Sequence, residues 1–213
     1  MSGPFTLFSS SEEATRALGG ALGRALEPGM VVLLEGDLGA GKTVLVRGVG
    51  EPLGASCVRS PSFTLVNEYQ TKGGLLLVHA DLYRLDENGV EALGLEDYLA
   101  LDDAALLVEW PERWHNFPED ALRVELRALD ERNELIRRLT FRPGGPQAEK
   151  AAGSVLSAVR AGECPGVEQI EPPQSAPRFV PTQPTNSTSL SSSGARNPSC
   201  LAETEGEDEG NGR

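Results

Sequence analysis

The run Gly36-Asp37-Leu38-Gly39-Ala40-Gly41-Lys42-Thr43 limits what this chain can fold into more than any other stretch. It matches G-x-x-x-x-G-K-[ST] at every fixed position. It also lies between an apolar, strand-like segment (residues 30–35) and a helical pattern running from Lys42 to about Pro52. Such a loop works only at a strand-to-helix junction. Its glycines let the backbone curl so that N–H groups point inward at phosphate oxygens, and the helix behind adds the partial positive charge of its N-terminus. In that setting Lys42 reaches β- and γ-phosphates, and the Thr43 hydroxyl is placed to ligate Mg2+. The chain is therefore expected to bind ATP and magnesium and to belong to the α/β class.

The remaining pattern agrees. Residues 5–8 read as a short strand, and Ser9-Ser10-Ser11-Glu12-Glu13 offers Ser-x-x-Glu capping boxes. Ala14, Leu18, Ala21, Leu22 and Ala25 then recur at helical spacing, and Pro28-Gly29 ends the helix. Residues 63–70 and 75–84 read as a hairpin, 87–93 and 95–99 as short helical pieces, and 104–110 as a buried strand. Residues 122–129 and 134–141 alternate apolar and polar side chains and read as a second hairpin. A parallel core with antiparallel additions predicts a P-loop NTPase-like three-layer α/β/α domain with a mixed sheet over residues 1–142.

Beyond residue 142 the composition changes. Residues 143–213 contain 9 Pro, 9 Gly and 9 Ser but only one aromatic, Phe179. A segment so poor in apolar bulk is expected to stay disordered, with one weak Ala-rich helix over residues 147–160. An acidic run at residues 203–209 reads as a solvated tail or a partner-binding one. The formal net charge of -13 argues against a free-standing nucleic-acid binder, although the chain could still act on nucleic acid through a partner. Cys57, Cys164 and Cys200 are odd in number and far apart, which suits a reducing cytosol better than a disulfide framework or a zinc site. Residues 1–5 do not read as a signal peptide, and no apolar run is long enough to span a membrane, so a cytoplasmic location is expected.

A phosphate loop alone does not hydrolyse ATP; an acid must hold magnesium or the attacking water. Leu106-Leu107-Val108-Glu109 ends an apolar run on a carboxylate, the shape of a Walker B element. Asp81, after the apolar run 75–78, is a second candidate acid or else a turn aspartate. Ser60-Pro61-Ser62-Phe63-Thr64 is either a hydroxyl-bearing switch that senses the γ-phosphate or a turn into a strand. His79 and His115 read as structural histidines, and Trp110 as either core or a neighbour of the site.

Taken in order, the phosphate loop, Ser60-Pro61-Ser62-Phe63-Thr64-Leu65-Val66, Asp81-Leu82-Tyr83-Arg84, Leu95-Glu96-Asp97-Tyr98 and Val108-Glu109-Trp110-Pro111-Glu112 resemble the TsaE (YjeE) family over about residues 5–142. The resemblance implies a weak ATPase that joins TsaB and TsaD in threonylcarbamoylation of tRNA adenosine next to the anticodon, with hydrolysis resetting the complex between turnovers. It implies that Lys42 holds phosphates, that Thr43 and Glu109 bind magnesium, and that Asp81 is an active-site acid. It places Ser62 and Thr64 in the switch-like loop and Trp110 beside the site, with Arg132 and Glu12 bordering the nucleotide. Ser62 stands where Thr is usual, Ala80 where Phe is usual, and the long C-terminal segment is outside the pattern. A P-loop kinase of a small metabolite and a nucleotide-dependent binding module without turnover are the competing readings.

Overall fold

The alternating runs of the sequence become the strands of one eight-stranded sheet. The computed structural model describes residues 3–55, 57–61, 63–130 and 133–170. The chain divides into two units, Met1–Gln174 and Ser175–Arg213, and the second lies outside the described residues.

In chain order the elements are β1 (Phe5–Ser9), α1 (Glu12–Ala25), β2 (Val31–Glu35), α2 (Lys42–Leu53), β3 (Val66–Gln70), β4 (Leu76–Asp81), α3 (Glu87–Glu91), α4 (Leu95–Leu99) and β5 (Ala104–Glu109). A 3-10 turn (Pro111–Arg113), β6 (Leu122–Asp130), β7 (Asn133–Pro143), α5 (Pro146–Arg160) and β8 (Val167–Ile170) complete the described chain. The sheet runs β3-β4-β5-β2-β6-β7-β1-β8. The central four strands are parallel, while β3 pairs antiparallel with β4, and β7, β1 and β8 extend the other side antiparallel. The expected mixed three-layer α/β architecture is what forms.

The central strands are apolar without alternation because both of their faces are covered. Val32 and Leu34 of β2 join Ala105 and Leu107 of β5 in the core beneath α1, α2 and α5. Val31 and Leu33 join Ala104, Leu106 and Val108 in a second core that includes Val90 of α3, Leu95 of α4 and Trp114. Helices α1 and α2 pack with their backbones nearly touching: a Cβ on Gly19 or Gly48 would strike backbone atoms of the other helix. Ser11 caps α1 by accepting from the Ala14 amide at 3.1 Å. Residue three beyond that cap is alanine, so the reciprocal glutamate of a capping box is missing and the hydroxyl acts alone.

The domain boundary expected at residue 142 needs correcting. Helix α5 buries Ala148, Ala151, Ala152 and Val155, at i, i+3, i+4 and i+7, in the same core as α1. The Asp120 carboxylate caps it by accepting from the amides of Gln147 (3.0 Å) and Ala148 (3.1 Å). Strand β8 then pairs with β1. Averaged composition hid this segment because its buried face is built from alanines, which carry little apolar bulk but let helices approach closely. The rest of the expected tail, from residue 171 onward, lies outside the described residues.

Candidate functional site

The parallel strands end together, and the phosphate loop springs from one of those ends. Gly36, Gly39 and Gly41 have φ of 139°, 82° and 101°, a region that side chains resist. Space adds a second demand at two of them, since a Cβ on Gly36 would meet the Leu126 carbonyl and one on Gly41 the Arg137 side chain. Lys42 begins α2 and turns back over the loop, donating to the carbonyls of Gly36 (2.6 Å) and Asp37 (3.0 Å). Its ammonium lies 4.2 Å from the centre of the Trp110 ring. Burial holds the Lys42 pKa below its ordinary value; the facing carboxylates, Glu109 foremost, act in the opposite sense but only in part.

Strands β4 and β5 are in register so that Asp81 pairs with Glu109 at their last positions. Glu109 is buried, and its Oε1 accepts from the Thr43 hydroxyl at 3.1 Å. The same oxygen lies 3.0 Å from Nε2 of His79, which is fully buried. Asp81 accepts from the Tyr83 amide at 3.1 Å and from the Ser60 hydroxyl at 3.4 Å. It is thus a turn aspartate and a cleft acid at once. Trp110 has φ 61° and ψ 50°, and its ring meets that of Tyr83 at 4.8 Å between centres. A cleft of about 350 Å3 is lined by Leu38, Gly39, Ala40, Gly41, Lys42, Thr43, Ser60, Asp81, Glu109, Trp110 and Arg137, among others.

Most residues expected at the site therefore converge there. Gly36 and Asp37 form the base of the loop and hold the Lys42 ammonium through their carbonyls. Thr64 is exposed, bonds Asn67 at 2.7 Å and does not line the cleft, although its neighbour Leu65 does. Glu12 stands in the first turn of α1, where a carboxylate favours the helix N-terminus, and does not line the cleft. Ser62 and Arg132 lie outside the described residues.

Two residues of the site were not expected. Arg137 lies in the arginine-rich second hairpin, where a solvated position would be ordinary. It is instead buried, donating from Nε to the Ala40 carbonyl at 3.0 Å. Its parity with Leu139 and Phe141, both buried, was the available signal. His79 shares parity with Leu77 and Asp81 in the same way, which puts it on the sheet face that carries the acids.

Magnesium takes oxygen ligands and keeps several waters, so one or two carboxylates and a hydroxyl are enough protein for it. Thr43, Glu109 and Asp81 supply only oxygens, and Thr43 already touches Glu109, so the donor set fits that ion. Among the described residues no group of three or more His, Cys, Asp or Glu side chains forms a denser metal cage.

Parallel core, strand-end acids and glycine-rich loop together define an α/β protein of the phosphate-loop class. The family profile described as "Threonylcarbamoyl adenosine biosynthesis protein TsaE" matches residues 9–138, and the chain belongs to that family. A relative from Nostoc sp. named tRNA threonylcarbamoyladenosine biosynthesis protein TsaE is 44% identical over 129 residues, covering 59% of this chain and 79% of its own length. The protein of the same name from Streptomyces coelicolor is 38% identical over 146 residues, covering 67% of this chain and 99% of its own. The crystal structure of Bacillus subtilis YdiB superposes with a TM-score of 0.62 at 30% identity, covering 75% of this chain and 98% of that one.

Proposed function

We propose that this chain is the ATP-binding, weakly ATP-hydrolysing accessory subunit of tRNA threonylcarbamoyladenosine synthesis, acting in the cytoplasm with TsaB- and TsaD-like proteins. The observation that carries the reading is the row formed by Asp81 and Glu109, in register at the strand ends, with Thr43 and Lys42 facing it. The inward amides of the loop and the N-terminus of α2 hold the phosphates. The Lys42 ammonium is buried and has no ion-pair partner among the described residues, so an entering phosphate gives it the counter-charge it lacks. Thr43, Glu109 and Asp81 hold magnesium, which when bound draws charge from the phosphoryl oxygens. One carboxylate of the Asp81–Glu109 pair orients a water and receives its proton as oxygen attacks the γ-phosphorus and the bridging bond breaks. Ser60, bonded to Asp81, ties that acid to the switch-like loop that follows α2.

The use of this energy is part of the same proposal. Hydrolysis resets the TsaB–TsaD complex between transfers, and tRNA is met only through that complex. Purified chain, TsaB, TsaD, tRNA and threonylcarbamoyl-adenylate provide the test. Wild type should support modification beyond one turnover and Lys42→Ala should not; equal yields would sink the proposal. Labelled ATP separates hydrolysis from transfer to a small metabolite, because hydrolysis leaves only free phosphate whereas a kinase leaves a labelled product.

A further inference from the structure

We infer that His79 is a positioning residue for Glu109, holding its carboxylate in the orientation that serves magnesium. This rests on the reading of Glu109 as a magnesium ligand. Two observations carry it. His79 is fully buried, and its Nε2 lies 3.0 Å from Oε1 of Glu109. Its other ring nitrogen, Nδ1, is buried with no hydrogen-bond partner among the described residues.

A carboxylate accepts hydrogen bonds and an imidazole in contact with it donates, so Nε2 carries a proton. A buried ring nitrogen without a partner, as Nδ1 is, is a cost that an apolar side chain would avoid. The surroundings would suit an apolar residue. Leu77 lies two positions earlier on the same face of β4, and Leu107 is directly opposite on β5. The imidazole thus gives up fold stability at Nδ1 while fixing Glu109 at Nε2. Thr43, the other group on Oε1, begins α2, so the hydroxyl and the ring grip one carboxylate oxygen from a helix and from a strand. Hydrogen bonds to a metal-binding carboxylate set its orientation, and losing such a partner typically lowers metal affinity or activity by about 10- to 100-fold.

The test uses the full chain and the variants His79→Leu, His79→Met, His79→Gln and Glu109→Gln. Three quantities are read: the melting temperature without nucleotide, Mn2+ affinity in the presence of ADP by electron paramagnetic resonance, and the Mg2+ dependence of phosphate release. His79→Leu is expected to melt at or above the wild-type temperature and to bind Mn2+ about 10-fold or more weakly. His79→Gln places an amide donor near the position of Nε2 and should recover most of that loss. Wild-type Mn2+ affinity in a folded His79→Leu or His79→Met overturns the inference, as does failure of both to fold, because the imidazole would then be a core residue. If Glu109→Gln itself keeps wild-type metal affinity, the underlying reading of Glu109 fails instead, and the two failures are told apart.

Discussion

Replacing Arg137 by alanine should weaken nucleotide binding through the loop's geometry. The guanidinium is buried at 6% exposure, donates to the Ala40 carbonyl at 3.0 Å, and packs where a Cβ on Gly41 would have to sit. A hydrogen bond from a charged donor contributes about 1.5–3 kcal/mol, part of it offset by the desolvation of the cation. Truncation also empties space beneath the loop. Together these give a loss of about 2–3 kcal/mol in fold stability, or roughly 4–12 °C in melting temperature for a domain of this size. If about 1.4 kcal/mol of that loss acts on the loop itself, ADP affinity falls about tenfold. Arg137→Lys should fall between, since lysine keeps the charge but not the fixed Nε donor. Titration calorimetry with ADP and thermal melting of the same samples measure both quantities. A normal ADP affinity in a protein that melts early would refute the reasoning, because Arg137 would then support the fold without shaping the loop.

Three further outcomes are expected. Gly48→Ala should melt lower by several degrees, because its new Cβ meets the Arg16 carbonyl across the α1–α2 contact and overpacking typically costs about 1–3 kcal/mol. Ending the chain at residue 142 should leave a protein that fails to fold cooperatively in urea, since the buried alanines of α5 and the Asp120 cap would lose their partners. The third concerns pH: the Trp114 indole N–H, donating at 3.0 Å, holds the Glu96 carboxyl below the usual carboxylate range. That stabilisation is fully present above the unfolded carboxylate pKa of about 4.3 and is lost as pH falls through the lower folded value, so Glu96→Gln should flatten the acid limb of a urea-stability profile.

Much of the fold was legible because buried parallel strands and a phosphate loop leave strong local marks. The unbroken runs that became β2 and β5 could hardly be anything else once a loop of this kind followed the first of them. The order of the strands and the register that sets Asp81 beside Glu109 are products of pairing across the chain, and no local pattern encodes them. Helix α5 was underestimated for a physical reason: alanine contributes little hydrophobic signal, yet against α1 it is the residue that fits. At the site, motif positions identified Lys42, Thr43 and Glu109. The supporting residue Arg137 carries no motif, and only strand parity with buried neighbours points to it.

The central claim is that the loop and the paired acids form one magnesium–nucleotide site. Calorimetric titration of the full chain with ATP, with and without Mg2+, tests it most directly, using Lys42→Ala and Glu109→Gln as controls. Wild type is expected to bind more tightly with Mg2+, Lys42→Ala to show no detectable binding, and Glu109→Gln to bind without Mg2+ enhancement. Equal, Mg2+-independent binding by all three proteins would contradict it.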